Sequence, residues 1–576
     1  MKATEFITSY LCKYGGMHSV FTFAGGTNAF LIDAIYRTKC MGLVVMRHEQ
    51  NAAFAAEGYA RASEKMGLAL TMSGPGATNL VTGIANAYFD SAPVFYLTGQ
   101  VVSGSYKYDK PVRQLGYQET DIVSIVKPIT KYAAVARKKQ DIPIMLREAM
   151  SECVSGRPGS VLADFPMDFQ KEDISEDELS IAPPEKKTDM PKDEDIHSVI
   201  SAIQASKRPV IIIGGGIRAS KTTEQLYKFA HNFHIPVVSS LLGKDSFPND
   251  DPLYVGFIGT YGDRYANLTM QNSDLIIALG TRLDSRQTAS PATFARAAKK
   301  IHVEIDKTEL NNTVKSDISI NCDLKNFFDA VLRHAKPAKE GAYDDWMNHI
   351  SLMKKELKYI IDADVNPKIF LAKLSDAFHD DEIFTTDVGN NQMWSAQALV
   401  IRKNQRFLTS GGLGSMQFSI PAAIGAYFAN PKRTVIAICG DGGFQMSIPE
   451  LQTIMEYKIP LKIVVFNNGV LGLMRVFQQE NFEGRHPTTE IGYSCPDIKK
   501  LAEAYGLAHI LIGKNSEIEE CIAKAKKETR PVIIEVVIDK ELKAYPKVRG
   551  KSLEDQVPTM DREELKKYML VPLLDK

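Results

Sequence analysis

Apolar residues in this chain gather in short unbroken runs, separated by stretches of helical period. In the first third, GLVVM (42–46) and LALTM (68–72) flank the alanine-rich segment AAFAAEGYARA, which reads as a helix, and VFYLTG (94–99) follows. The middle third carries PVIIIGGG (209–216), PVVSSLLG (236–243), LIIALGTR (275–282) and KIHVEID (300–306). The last third carries TVIAICGDGG (434–443), PLKIVVFNNG (460–469) and PVIIEVVID (531–539). Runs rich in Val and Ile without alternation suit parallel strands covered on both faces. Strand and helix alternating in three blocks predict an α/β protein of three doubly wound parallel-sheet domains. Two charged, proline-bearing stretches, 171–195 and 336–345, separate the blocks. The expected division is 1–170, a linker 171–195, 196–335, a linker 336–365, 366–545 and a tail 546–576.

Length agrees: 576 residues suit about four domains, or three larger ones. Sixty-nine Lys and Arg against 69 Asp and Glu leave no net charge, which argues against a nucleic-acid binder held by an overall positive field. No apolar run approaches a membrane span, and the N-terminus does not open a signal peptide. Seven scattered cysteines, with no CxxC, read as buried small hydrophobes in a reducing compartment, hence a cytoplasmic protein.

Ligands of such domains sit where strands end. The run TVIAIC stops at Gly440-Asp441-Gly442-Gly443, and LKIVVF stops at Asn467-Asn468-Gly469, with Asn468 27 residues after Asp441. Glycines let the backbone approach an anion, while Asp441 and the Asn468 amide supply the hard oxygens Mg²⁺ takes when it bridges a diphosphate. Each motif alone is also an ordinary turn. Glu49, in Arg47-His48-Glu49-Gln50, follows GLVVM and opens the alanine-rich helix, where a carboxylate also gains from the helix dipole.

With these motifs the chain resembles the thiamine diphosphate enzymes, and within them the acetolactate synthase large-subunit branch. The resemblance covers nearly the whole chain and makes the three blocks a pyrimidine-binding, a central nucleotide-binding-like and a diphosphate-binding domain. It implies thiamine diphosphate and Mg²⁺ as cofactors, with Asp441, the Asn468 side chain and the Val470 backbone carbonyl as metal ligands. Glu49 is implied as the catalytic carboxylate that hydrogen-bonds the cofactor's pyrimidine, and His48 as structural. SGPGATN (73–79) resembles the loop near the pyrimidine, with Pro75 and Asn79 as contacts. TGQ (98–100) and YQE (117–119) resemble that branch's segments too and put Gln118 at the active site. Met416 matches the apolar residue that bends the cofactor into a V. Further cofactor contacts implied are Phe23, Gly25, Gly26, Val388, Gly389, Asn390, Asn391, Gly414, Gly440, Gly442, Gly443, Leu471, Gly472 and Leu473.

The central block's Gly214-Gly215-Gly216 could also be a GxGxxA nicotinamide fingerprint ending at Ala219, but no acidic residue ends the next strand. By resemblance it is a FAD domain, with Gly214, Gly215, Gly216, Gly280, Arg282, Asp284, Arg286 and Glu304 as contacts. Related enzymes keep this fold with ADP or with nothing, so all three stand. The chain departs from the synthases at Asn390-Asn391, at Met167, at Phe477, in its C-terminal segment and in a longer stretch between Gln100 and Gln118.

The implied activity is decarboxylation of a 2-oxo acid, most simply pyruvate, and transfer of the resulting hydroxyethyl unit to a second carbonyl, giving acetolactate. The alternative is a transferase or lyase with another acceptor, such as a nucleotide-linked keto sugar. A binding-only paralogue would be marked by loss of Glu49, Asp441 or Asn468, and all three are present. The resemblance implies a homodimer or homotetramer, each active site built from two chains, with neither nucleic acid nor membrane as partner.

Overall fold

The computed structural model describes residues 1–334, 336–339 and 341–574. The expected end of the central domain at 335, Glu340 of the second linker and the last two residues of the tail lie outside the described residues. Three six-stranded parallel sheets follow one another along the chain. The first is built from β1 (Ser19–Thr22), β2 (Gly42–Val45), β3 (Gly67–Met72), β4 (Val94–Gln100), β5 (Tyr132–Val135) and β6 (Val161–Pro166), in the order β2-β1-β3-β4-β6-β5. The second has β7 (Pro209–Ile213), β8 (Val237–Ser239), β9 (Tyr254–Phe257), β10 (Leu275–Leu279), β11 (Lys299–Glu304) and β12 (Ile318–Asn321), ordered β12-β11-β10-β7-β8-β9. The third has β13 (Ile383–Thr386), β14 (Arg406–Thr409), β15 (Val435–Gly440), β16 (Lys462–Asn467), β17 (Ala508–Ile512) and β18 (Val532–Val537), ordered β14-β13-β15-β16-β18-β17. The first and third sheets thus wind identically. Their strand order reverses between β1 and β3 and between β13 and β15, and the crevice beyond such a switch point is where open α/β sheets bind ligands.

The outer two blocks share one core. Helix Glu49–Ser63 of the first lies against helix Ser419–Ala429 of the third, with Phe54 and Phe418 edge to face at 5.6 Å. The helices touch backbone to backbone: a Cβ on Gly425 would fall 1.8 Å from the Ala55 carbonyl oxygen, and one on Gly58 2.1 Å from that of Ala422. Buried polar groups lock the same seam, Asn51 Nδ2 donating to Glu450 Oε1 over 2.8 Å.

The middle block keeps its own core, joined by the end of the chain. Val548, Leu553, Leu565 and Tyr568 pack into it, and Asn272 Nδ2 donates to the Tyr568 carbonyl over 2.8 Å. The stretch 171–195 carries a 3-10 turn, Glu176–Ser180, and ends within helix Asp193–Ala205. Cys12 and Cys40, both half-buried, form a disulfide, which corrects the reading of all seven cysteines as buried small hydrophobes in a reducing compartment. The fold brings together two sulfurs 28 residues apart, a contact no spacing rule reveals; the other five are free. Among the described residues no helix is long and apolar enough to cross a membrane.

Candidate active site

The first crevice forms where β1, β2 and β3 end. Glu49 is the first residue of its helix and only 8% exposed. His48 caps that helix, its Nδ1 accepting from the Gln50 N–H over 3.2 Å, so its ring is spent on structure. Asn79, at the end of the short helix Pro75–Asn79, donates through Nδ2 to Glu49 Oε2 over 2.9 Å. That leaves Oε1 without a side-chain donor, turned toward Gly76, where a Cβ would lie 3.4 Å away. Gln118 closes in from the segment after β4: its Cβ is 3.2 Å from the position of a Cβ on Gly74. The Gln118 backbone is left-handed, φ 63°, a conformation that costs a non-glycine residue energy and is kept where surroundings impose it. Phe23, 39% exposed, and Gly26 rim this crevice at the end of β1, and Gly25 donates its N–H to Asn28 Oδ1 over 2.8 Å.

The second crevice forms where β13, β15 and β16 end. Gly440 pairs with Phe466 across β15 and β16, so Asp441 and the Asn467-Asn468-Gly469 turn emerge side by side. Asp441 opens helix Asp441–Ser447 directly, with no intervening turn, and is 3% exposed. Its Oδ2 is buried without a hydrogen-bond partner. Burial pushes the carboxyl up to about 6, while the adjacent Tyr493 hydroxyl and backbone N–H groups limit the rise. Asn468 Oδ1 accepts from the Val470 N–H over 3.2 Å, which turns the chain back over Asp441. Asn390 follows Gly389 at the start of helix Asn390–Ala398; its Oδ1 is a second buried acceptor without a partner. Its Nδ2 and that of Asn468 lie 2.9 and 2.8 Å from the position of a Cβ on Gly472, at the start of helix Gly472–Asn481. Asn391 turns inward and donates to the Asp387 carbonyl over 2.8 Å. Gly443 admits no side chain, since a Cβ there would sit 1.6 Å from Asp387 Oδ2. Met416 and Leu471 converge on Gly442, their nearest carbons 3.0 and 2.7 Å from where its Cβ would be.

Several residues that hold this arrangement carry no motif. Asp387, which follows β13, accepts the N–H groups of Gln417 and Phe418 over 3.0 and 2.8 Å and so fixes Met416 from behind. Gln417 Nε2 donates to Asn51 Oδ1 over 2.7 Å, and Gln50 Nε2 to Gln417 Oε1 over 2.8 Å, tying the turn after Met416 to the helix that Glu49 begins. Asp387 and Glu450 are isolated acids in the sequence. Their only prior signal is position just past an apolar run or within a helix start.

A third space, about 420 Å³, opens between the blocks. All eight residues expected at a central nucleotide site line it: Gly214, Gly215 and Gly216 after β7, Gly280, Arg282, Asp284 and Arg286 after β10, and Glu304 at the end of β11. Val388, Gly414 and Leu473 of the third block line it as well. The first block contributes Arg157, whose Nη1 reaches Glu309 over 2.8 Å and Asp306 over 3.2 Å. Burial raises the Glu304 carboxyl above its ordinary range.

Residues 1–125, 196–331 and 387–536 match, in turn, the N-terminal TPP binding domain, the central domain and the C-terminal TPP binding domain described for thiamine pyrophosphate enzymes. The chain belongs to the thiamine pyrophosphate enzyme family. It is 37% identical over 538 residues to the acetolactate synthase large subunit of Lactococcus lactis subsp. lactis (strain IL1403), spanning 92% of each chain. It is similar at 38% over 559 residues to a probable acetolactate synthase large subunit of Methanocaldococcus jannaschii, covering 94% of this chain and 92% of that one. With the acetolactate synthase isozyme 3 large subunit of Escherichia coli (strain K12) the identity is 34% over 558 residues, 94% of this chain and 96% of the other. Each of these acetolactate synthase large subunits, one of them named as probable, is matched over more than nine-tenths of its length.

Proposed function

We propose that this protein is a thiamine diphosphate- and Mg²⁺-dependent carboligase that decarboxylates pyruvate and joins the two-carbon unit to a second 2-oxo acid, as an acetolactate synthase does. The single observation that carries the reading is the pair of crevices: one with a buried carboxylate half-occupied by Asn79, the other with a partnerless buried Asp441 oxygen beside the Asn468 turn. Thiamine diphosphate, when bound, supplies an acidic thiazolium carbon and an electron sink for decarboxylation.

The residues present fit that cofactor. Asp441 Oδ2 and Asn390 Oδ1 are buried acceptors that lack protein partners, and both face the crevice where a bound ion or diphosphate would supply them. Among the described residues no three His, Cys, Asp or Glu side chains gather as a metal cage. A cation at Asp441 would therefore draw on Asn468, the Val470 carbonyl and diphosphate oxygens, an all-oxygen set suited to Mg²⁺. The starts of helices Asn390–Ala398 and Gly472–Asn481 offer N–H groups to the diphosphate. Met416 and Leu471 would support the ring system on its apolar side.

Glu49 has one assignable task. Asn79 occupies Oε2, so Oε1 would be the atom that hydrogen-bonds a pyrimidine nitrogen of the bound cofactor, and the buried surroundings would strengthen that bond. Gln118, in its imposed left-handed conformation, orients the carboxylate or carbonyl of the substrate. The central space takes FAD or ADP: cationic Arg282 and Arg286 with the glycine turn suit a diphosphate, and Glu304 suits a ribose hydroxyl. We place the enzyme in the cytoplasm, where a bond such as Cys12–Cys40 is expected to be reduced.

A second copy of the chain completes each active site in this proposal. Tyr117, 87% exposed, and Phe23 stand at the first crevice, and Met474, Phe477 and Ile491 stand exposed near the second, apolar surface that a partner would cover. The reading with a sugar acceptor rests on the departures at Asn390-Asn391, Met167, Phe477, the stretch between Gln100 and Gln118 and the C-terminal segment, and the similarity to acetolactate synthases over more than nine-tenths of the chain does not favour it.

The test is direct. Protein supplied with thiamine diphosphate, Mg²⁺ and pyruvate should release CO₂ and accumulate acetolactate, and Glu49→Gln should lower kcat/KM by roughly 10²–10⁴-fold. No consumption of any 2-oxo acid by the unmodified protein would remove the proposal.

A further inference from the structure

The loop from Ser410 to Gln417 is a wall common to two sites. Gly411, Gly412, Leu413 and Gly414 line the central space, while Met416 at its other end rests on Gly442 beside Asp441. Both ends are anchored. Ser410 Oγ donates to Asn86 Oδ1 over 2.6 Å, and the Gln417 N–H donates to Asp387 Oδ2 over 3.0 Å. Between them the Ser415 N–H donates back to Ser410 Oγ over 2.9 Å, and Asp90 of the first block accepts the Gly411 N–H over 2.9 Å through Oδ2 and the Gly412 N–H over 2.6 Å through Oδ1. Asp90 is itself buried and faces the Arg61 guanidinium, 3.6 Å away, which donates to the Thr409 carbonyl over 2.8 Å just before the wall begins. Asp90 also lines the central space.

We propose that Asp90 is a positioning residue that couples the central space to the cofactor crevice. The coupling rests on the proposed reading of that space as a nucleotide site. Leu413 and Gly414 donate no hydrogen bond to Asp90 and lie between Ser410 and Ser415 with the central space beside them, so an occupant of that space adds the contact that braces them. An adenine nucleotide with a diphosphate, held by Arg282 and the glycine turn, would press against Gly411–Gly414 and fix Met416 in its seated position. Ordering spent on the first ligand is not spent again on the second, so each binds more tightly when the other is present. Linkage requires the two effects to be equal in size.

The experiment uses the full chain freed of cofactors by dialysis against chelator, with ADP as the nucleotide probe. Calorimetric titration with thiamine diphosphate and Mg²⁺ should give a Kd lowered about fivefold or more by saturating ADP, and the reverse titration should give the same factor. In Asp90→Asn the amide cannot accept both N–H groups. Its ADP binding should persist while the factor falls to within about twofold. ADP that binds the unmodified protein without shifting the thiamine diphosphate Kd overturns the coupling and leaves the nucleotide reading standing. Failure of both ADP and FAD to bind overturns that reading and the coupling with it. An unchanged factor in Asp90→Asn removes Asp90 from its role; if that variant does not fold, the paired titrations on the unmodified protein still decide whether the coupling exists.

Discussion

Asp164 is a buried carboxyl in β6 that accepts Thr98 Oγ1 over 2.7 Å and Gln100 Nε2 over 2.8 Å. Burial outweighs these bonds and pushes it up to about 7. Between about pH 4 and about pH 7 the folded chain therefore holds a proton that the unfolded chain has released, so stability falls as pH rises through that window and levels off above it. Glu57 and Asp387, both raised to about 7 by burial, share the sign. Asp164→Asn should flatten part of the slope, seen as a smaller difference between urea midpoints at about pH 5 and about pH 8. An unchanged difference would mean that Asp164 is not the carrier. At this scale the sequence revealed residues attached to punctuation: Glu49 after GLVVM, Asp441 within GDGG, Asn468 within NNG. It hid Asp90, Asp387 and Glu450, whose partners lie in distant segments; Asn51 and Glu450 are 399 residues apart. The disulfide was hidden for the same reason.

Among elements, the legible strands were those made of Val and Ile runs. Eight were passed over, β1, β5, β6, β9, β12, β13, β14 and β17, and several of these are short and diluted with Ser, Thr, Ala or Tyr, as in SVFT of β1, YAAV of β5, IFTT of β13 and RFLT of β14. Their pairing with neighbours, not their own apolar content, makes them strands. The helix Glu49–Ser63 was legible from its alanines, but its purpose as a contact surface was not, because that depends on Gly425 in a helix several hundred residues away. Gly425→Val would thrust a side chain into a carbonyl that cannot yield. It should destabilise the protein by about 1–3 kcal/mol or more, measured by denaturant midpoint. Gly104→Ala, where no atom lies within 4 Å of the new Cβ, should stay within about 0.5 kcal/mol and serves as the control.

For the whole molecule, the question is whose Asp441 faces whose Glu49 across the cofactor. Chains carrying Glu49→Gln and chains carrying Asp441→Asn should each be inactive alone. Mixed and allowed to exchange, they should recover roughly a quarter of full activity if sites form between chains: half of the dimers are mixed, and each of those has one intact site. Sites formed within one chain would recover none. The polar stretches between the apolar blocks were legible, yet nothing in the sequence announced that helices of the first and third blocks would meet in one shared core, or that Phe257 and Tyr261 of the middle block would join a core of the third. That arrangement makes the middle block a lodger whose room shares a wall with the rest of the house. Its cavity borders Val388, Gly414 and Leu473 of the third block, so a change of tenant, from flavin to adenylate to none, would be felt across the shared partition that Asp90 ties down.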